Sequence, residues 1–446
     1  MIQNNTRICI DDAKLEATIR KLASSSSRRR LGRLTEVRGP VARVAYRGLR
    51  VGDLCEIDRV VQGPLLAEVI GLEDEIAVLC PFGSTDGLVA NAVVTSVESG
   101  LTIPTGNELL GRVIDVFGTP IDGNGVVDGD LIRHSIKARP PAAMDRPLIC
   151  EELPTGIRSI DGPLTLAKGQ RVGIFGPPGT GKSSLLAAIT QHASADVIVI
   201  ALVGERGREV REFVERELPE AERKRVVVVV ATSDRPAVER ALCAHSATTV
   251  AETFRDEGKS VLLLVDSLTR SARALREVGL AAGEAPTRRG YPASVYPALP
   301  AIIERAGRAG KGDITAMYTV LTESDGQNDP IAEEVKSLTD GHIILSSDLA
   351  SAGHFPAIDV VQSLSRSMNT VAKPEHVVAA GKLRSLMVKY SEIELLLQVG
   401  EYSSGGDILA DKAIIAKPKI DEFLQQETAS QSEILQTIQE LQRIVS

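Results

Sequence analysis

Gly176-Pro177-Pro178-Gly179-Thr180-Gly181-Lys182-Ser183 has the spacing G-x-x-x-x-G-K-[ST]. The apolar run Arg171–Phe175 before it predicts a buried strand, and Ser183–Thr190 after it predicts the first turns of a helix. That context suits a nucleoside triphosphate. Glycines let the backbone wrap closely enough for successive N–H groups to face phosphate oxygens. The helix N-terminus adds partial positive charge. Lys182 is expected to reach the β- and γ-phosphates and the Ser183 hydroxyl to ligate Mg²⁺, with Ser184 completing the cradle.

A phosphate cradle defines binding, not a reaction. Two further stretches supply acid groups. Val261-Leu262-Leu263-Leu264-Val265-Asp266 is an apolar strand ending in a carboxylate, placing Asp266 to hold the Mg²⁺ hydration shell beside Ser183. Gly204-Glu205-Arg206-Gly207-Arg208-Glu209 follows the apolar run Val197–Val203. If that strand neighbours the P-loop strand, Glu205 stands at the carboxyl edge of the sheet, where ligands of open α/β sheets bind. There it would accept a hydrogen bond from water and align it on the γ-phosphorus, while Arg206 steadies the carboxylate and the phosphates. Glu209, Glu212 and Glu215 are expected to be ordinary helix surface.

The chain has 446 residues, enough for two to four domains and a large core. A content of 43% hydrophobic and 25% charged residues fits a soluble globular protein. With no Trp, 3% aromatics and a net charge of −8, it lacks both the stacking platforms and the global attraction of a nucleic-acid binder. Five widely spaced cysteines without a C-x-x-C pair support neither a disulfide framework nor a zinc site, which suits a reducing cytosol. No apolar run approaches the ~20 residues of a membrane span, so any membrane contact is expected to be peripheral.

Behind these residues the chain changes character several times. Residues 1–27 suggest an appendage: a short helix carrying Leu15, Ile19 and Leu22, then a serine linker. It would either pack on its own domain or dock a partner. Arg28-Arg29-Arg30 is either a solvated linker or a contact for acidic lipid or protein. Residues 28–96 alternate short β-rich runs with Gly turns, which predicts a small closed barrel whose only aromatics are Tyr46 and Phe82. Residues 97–150, rich in Gly and Pro, read as a connecting arm leading into an ATPase domain that runs to 374. Apolar runs at Val197–Val203, Val226–Ala231, Val261–Val265 and Ile314–Leu321 alternate with helical segments, so the core is expected to be a doubly wound parallel sheet. From 375 onward Val377–Lys389, Glu392–Gln398, Ala410–Leu424 and Ser430–Val445 predict a helical domain.

Several stretches together carry a resemblance: Gly-Glu-Arg-Gly-Arg-Glu (204–209), Leu-Leu-Leu-Val-Asp-Ser-Leu-Thr-Arg (262–270), Arg289-Gly290-Tyr291-Pro292, Asp340-Gly341-His342-Ile343-Ile344-Leu345-Ser346 and Phe355-Pro356-Ala357-Ile358-Asp359-Val360. From about residue 28 to the C-terminus the chain resembles the hexameric ATPases of type III protein secretion and flagellar export, relatives of the catalytic headpiece subunits of rotary F- and V-type ATPases. The resemblance implies an α/β fold with a RecA-like P-loop ATPase core, an N-terminal β-barrel and a C-terminal helical domain. It implies a homohexamer at the cytoplasmic face of the bacterial inner membrane that hydrolyses ATP with Mg²⁺. Such a motor releases chaperones from chaperone–substrate complexes and unfolds substrates for translocation. Its partners would be a stator-like regulator on residues 1–27, a central stalk protein and export-gate proteins. By motif match Lys182 and Ser183 are the P-loop pair, Glu205 the catalytic carboxylate, Asp266 the metal-side carboxylate, and Arg366 of Leu364-Ser365-Arg366 a finger given to the neighbouring protomer. Phe355 falls where relatives place an aromatic against adenine, with Tyr402 a second candidate, and Arg289–Tyr296 matches a pore-facing loop.

Two departures stand out: Pro177-Pro178 in the P-loop, and Leu321–Pro330, which differs from the usual Val-Glu-Gly-Asp-Asp version. Neither removes a catalytic group. A rotary headpiece subunit is the main alternative, although those rings usually divide carboxylate and finger between two subunit types, whereas Glu205 and Arg366 share this chain. A RecA-like nucleic-acid translocase and a non-catalytic nucleotide-dependent scaffold are the others.

Overall fold

The computed structural model describes residues 31–46, 48–61, 63–97, 100–322 and 329–446. The expected docking segment 1–27 and the basic run 28–30 lie outside the described residues. So does most of the atypical stretch after Leu321.

The described residues separate into two compact units, divided between residues 100 and 101. In the first, six strands close into a barrel: β1 (Leu31–Arg38), β2 (Val41–Ala45), β3 (Leu54–Ile57), β4 (Leu65–Glu73), β5 (Ile76–Pro81) and β6 (Val93–Val97). Alternate residues such as Leu34, Val44, Ile57, Val69, Leu79 and Val94 fill its core. The strand that closes it is β6, whose Val93–Thr95 pair antiparallel with Leu31–Arg33. Val-Val-Thr-Ser-Val is short and lacks a clear alternation, so its own residues mark this strand weakly. Tyr46 and Phe82 are both buried, so neither presents a ring face to solvent.

The second unit opens with β7 (Thr102–Thr105), β8 (Val113–Ile114) and β9 (Ile132–Ser135); β7 and β9 form an antiparallel ribbon, as do β10 (Glu152–Leu153) and β11 (Leu166–Ala167). Its main sheet is built from β12 (Arg171–Gly176), β13 (Val197–Val203), β14 (Val226–Ala231), β15 (Ser260–Asp266), β16 (Gly307–Ala309), β17 (Gly312–Leu321), β18 (Gly341–Leu345) and β19 (Ile358–Ser365), together with β8. The order is β19-β18-β12-β17-β15-β13-β14-β8, with β16 paired to β17. All pairs from β18 to β8 are parallel, while β19 and β16 are antiparallel. Strands β13 and β14 are buried along their whole length because helices cover both faces, which is why they read as unbroken apolar runs.

The order corrects one premise. The Glu205-bearing strand β13 does not neighbour the P-loop strand β12; β17 and β15 lie between them. Because the intervening pairs are parallel, both still end at the same edge of the sheet.

The C-terminal helices are Pro374–Gln398, Ile408–Leu424 and Ile434–Val445. The first is continuous through Tyr390-Ser391, where the sequence suggested a break; no Gly or Pro stands there to end it. Leu383, Ala413, Phe423 and Leu441 share one hydrophobic core with Ile174 and Leu264 of the sheet.

Arg305 is fully buried where the Pro-rich arm meets the core. Its guanidinium donates to both Glu252 oxygens at 3.0 and 2.6 Å, to the Ile136 carbonyl at 2.7 Å and to Thr249 Oγ1 at 2.8 Å. Every strong acceptor around it is used, so truncation strands a buried carboxylate. Arg305→Ala is expected to cost about 3–5 kcal/mol, read as a lower urea midpoint for the 101–446 unit. An unchanged midpoint would mean that solvent reaches Glu252.

Candidate active site

Strand β12 delivers the phosphate loop. Gly179 and Gly181 adopt φ of +85° and +81°, a region that L side chains avoid. At Gly181 a Cβ would lie in van der Waals contact with the Phe355 ring, at 3.4 Å. Thr180 Oγ1 donates to the Pro177 carbonyl at 2.9 Å and closes the turn. The helix Lys182–His192 follows, with Ser183 and Ser184 exposed in its first turn. Pro177 and Pro178 do not disturb the loop: Gly176 and Pro177 still offer their carbonyls inward. Lys182 Nζ donates to both, at 2.8 and 2.6 Å.

Asp266 ends β15, buried, and accepts from Thr319 Oγ1 of β17 at 2.6 Å. Burial pushes its carboxyl above the usual range, opposed by that hydrogen bond and by the charges of Arg270 and Lys182. Among the described residues no group of three or more His, Cys, Asp or Glu side chains could hold a metal. One carboxylate and one nearby hydroxyl do, however, fit a hard cation that keeps waters and phosphate oxygens as most of its ligands. A buried carboxylate with a single side-chain hydrogen bond is also suited to a cationic partner.

Glu205 lies one residue past the Gly204 turn at the end of β13, half-buried. Its partner is not Arg206. Arg206 is exposed and turns outward to Glu209, 3.5 Å away, in a capping box at the start of helix Gly207–Glu212. Arg270 holds Glu205, its guanidinium 3.0 Å from Oε1 and also donating to the Gly204 carbonyl. Arg270 comes from the first turn of helix Leu268–Ala281, which Ser267 caps, so the residue after Asp266 sets both groups. Spacing concealed Arg270, although it stands four residues after a strand-end Asp, where the first helical turn faces back toward the edge.

Glu209 is likewise more than helix surface: it shares a carboxyl–carboxyl hydrogen bond with Glu205. Burial first, then that hydrogen bond, raises Glu205 to about 8 against the opposing charge of Arg270. Glu209 is lowered by the same bond. Burial lowers Lys182 to about 8, with Asp266 and Glu205 resisting the shift.

Phe355, exposed, stands beside the loop at Gly181. With Pro356, Ile157, Ser184, Leu185 and Thr428 it lines a cleft of about 410 Å³. The far wall, residues 426–430, is pinned to the core. Gln426 N–H donates to the Phe355 carbonyl at 2.9 Å and its side-chain amide to the Gly156 carbonyl at 2.8 Å. Arg158 donates to the carbonyls of Glu422, Phe423 and Gln425 at the end of helix Ile408–Leu424. Nothing in the sequence marked this segment. Tyr402 does not line the cleft; its hydroxyl donates to Asp411 at 2.9 Å. In Arg289–Tyr296, Arg289 is exposed while Tyr291 is buried under Arg276.

Arg366 follows β19 and is exposed, and among the described residues its guanidinium has no ion-pair partner. Because β19 runs antiparallel, Gly341 pairs with Ser365 at the opening end of β18. Arg366 therefore stands level with the start of β12, five residues before Gly176 and displaced from it by roughly 16 Å along the strand direction.

A phosphate loop, a buried strand-end carboxylate and a second carboxylate on one sheet edge define a P-loop nucleotide hydrolase. Residues 156–365 match the model of the ATP synthase alpha/beta family, nucleotide-binding domain, and residues 34–98 match that family's beta-barrel domain. Residues 372–443 match the T3SS EscN ATPase C-terminal domain. The chain is 49% identical over 416 residues to the type 3 secretion system ATPase of Sinorhizobium fredii (strain NBRC 101917 / NGR234), covering 93% of this chain and 92% of that one. The assembled ATPase EscN of the enteropathogenic E. coli type III secretion system superposes with a TM-score of 0.89 at 45% identity, over 93% of this chain and all of that one. EscN in complex with its central stalk EscO gives 0.85 at 44%, with the same coverage. The chain belongs to the family of type 3 secretion system ATPases, and it is an ATP-hydrolysing enzyme. The rotary enzymes are its distant family.

Two measurements bear on the site. In the free enzyme, kcat/KM for ATP is expected to peak near pH 8: the acid limb is Glu205 losing its proton and the alkaline limb is Lys182 losing its charge. Glu209→Gln removes a cause of the Glu205 shift, so the acid limb moves to lower pH; an unmoved limb would dissociate the two carboxyls. Phe355→Ala is expected to raise KM about 3- to 10-fold at near-constant kcat, the loss of one aromatic stack.

Proposed function

We propose that the chain works as a homohexameric ring in which ATP binds between protomers, and that hydrolysis there drives type III protein export. One protomer supplies Gly176–Ser184, Glu205 and Asp266; the next supplies Arg366. Backbone N–H groups of the loop and Lys182 bind the phosphates. Ser183 and Asp266 would hold Mg²⁺, which when bound offsets negative charge on the phosphate oxygens. Glu205, deprotonated and held by Arg270, orients a water in line with the γ-phosphorus and takes its proton. The neighbour's guanidinium stabilises charge on the transferring phosphoryl group. Little covalent work falls to the protein; placement and charge supply the rate.

The observation that supports this reading most is the position of Arg366. It sits at the opposite edge of the sheet from its own phosphate loop, displaced roughly 16 Å along the strand direction, and among the described residues its guanidinium has no ion-pair partner. On the ring reading its guanidinium serves the site of the next protomer.

The reading extends to partners. EscN has been seen assembled and with a central stalk. A corresponding ring would take a stalk protein, a stator-like regulator on residues 1–27 and export-gate proteins. It would work at the cytoplasmic face of the inner membrane; no described helix is long and apolar enough to cross a bilayer. Its substrates would be chaperone–substrate complexes, which it separates and unfolds.

Arg366→Ala is expected to lower kcat by about 10³-fold or more while ATP affinity stays within about twofold. Wild-type turnover in that variant would refute the interface site. ATP-dependent release of a chaperone from its export substrate, lost in Glu205→Gln, checks the assigned work.

A further inference from the structure

We propose that Asp340 is the residue that positions Arg366 for the neighbouring protomer, by fastening the end of β19 to the first residue of the phosphate-loop strand. The inference rests on the interface reading above and adds to it a residue that touches no nucleotide.

The ladder between β18 and β19 is thin where Arg366 emerges. Gly341 pairs with Ser365 and His342 with Leu364; the register then shifts, and pairing resumes only at Ile344 with Asp359. Beyond Ser365 the anchor is Arg366 N–H donating to the Asp340 carbonyl at 3.0 Å. That carbonyl also accepts from Gln170 Nε2 at 3.2 Å. The carboxylate of the same residue grips β12: Oδ2 accepts from Arg171 N–H and Nε, each at 3.0 Å, and Oδ1 from the guanidinium at 3.2 Å. Asp340 N–H returns a bond to the Arg171 carbonyl at 2.8 Å. The forked pairing fixes direction as well as distance.

The next residue confirms how close the strands run. A Cβ on Gly341 would meet the Leu364 carbonyl at 2.6 Å and Ser365 Cα at 3.2 Å. Arg171 is held from its other side by Glu304 at 2.6 Å, and Glu304 by Arg146 of the arm at 3.2 Å. The base of the finger is therefore clamped, whereas its guanidinium has no ion-pair partner among the described residues. Loss of the clamp leaves the guanidinium present but misplaced, and a displacement of about 1 Å in a group acting on a transition state can cost about 100-fold.

The test uses full-length chains mixed before assembly. Asp340→Ala alone is expected to lower kcat at least about tenfold, with ATP affinity and unfolding midpoint near wild type; Asp340→Asn, which keeps the shape, is expected to lose less. An Asp340→Ala ring that turns over ATP like wild type would overturn the proposal. The deciding readout is complementation. Lys182→Ala protomers have a disabled cradle and an intact finger. Mixed one to one with Asp340→Ala protomers, about a quarter of interfaces in a closed ring combine an intact cradle with an intact finger. ATPase activity should then exceed that of either variant alone, as it should when Lys182→Ala is mixed with Arg366→Ala. If the Arg366 mixture recovers and the Asp340 mixture does not, Asp340 serves its own protomer's site and the inference fails while the interface reading stands. If the Arg366 mixture fails to recover, the interface reading fails and the inference with it. Should Asp340→Ala unfold, Asp340→Asn carries the same mixture.

Discussion

A lysine ammonium and an aspartate carboxylate face solvent-poor surroundings at the carboxyl edge of one parallel sheet, and the site is arranged around what their burial costs. Lys182 and Asp266 are each pushed toward neutrality by desolvation, and each resists because the other is charged. Arg270, just after β15, and Glu205, at the end of the adjacent β13, extend the cluster by one strand. Only a parallel sheet brings these groups together without a loop crossing the core. β12, β17, β15 and β13 all terminate at the same edge, and Thr319 of β17 fills the gap between loop and carboxylate.

The phosphate loop and Asp266 were legible because their chemistry is local: a few consecutive residues fix the turn, the strand end and the first helical turn. The parallel β-strands were legible for the same reason, as runs of Val, Ile and Leu covered on both faces. Strand order was not, since nothing in a strand's own sequence states its neighbour. That is why Glu205 was expected beside β12 and is found beyond β15. The partner of Glu205 was missed for a related reason. Arg206 is adjacent in sequence but is drawn outward by its own helix cap, whereas Arg270 is adjacent only in space. Residues 426–430 carry no motif, and they line the cleft because Arg158 and Gln426 tie them there. Tyr402 had nothing but the resemblance to recommend it, and its hydroxyl is occupied by Asp411.

Antiparallel β19 gives the molecule its polarity. One reversed strand sends Arg366 to the edge opposite the phosphate loop, so the chain presents a cradle on one side and, on the other, a cation with no ion-pair partner among the described residues. In the ring proposed above the contacts run head to tail, and head-to-tail contacts close into rings when the rotation permits.

The pinned wall of the cleft has a mechanical corollary. Arg158 and Gln426 join the last turn of helix Ile408–Leu424 to the backbone at Gly156 and Phe355, beside the loop that takes the nucleotide. Tilting that helix must move the wall, and filling the cleft must bear on the helix. By reciprocity, any protein that prefers one tilt changes the affinity of the cleft by the same factor that occupancy changes its own grip. Force applied to the C-terminal helices thus reaches the walls of the cleft through two side chains.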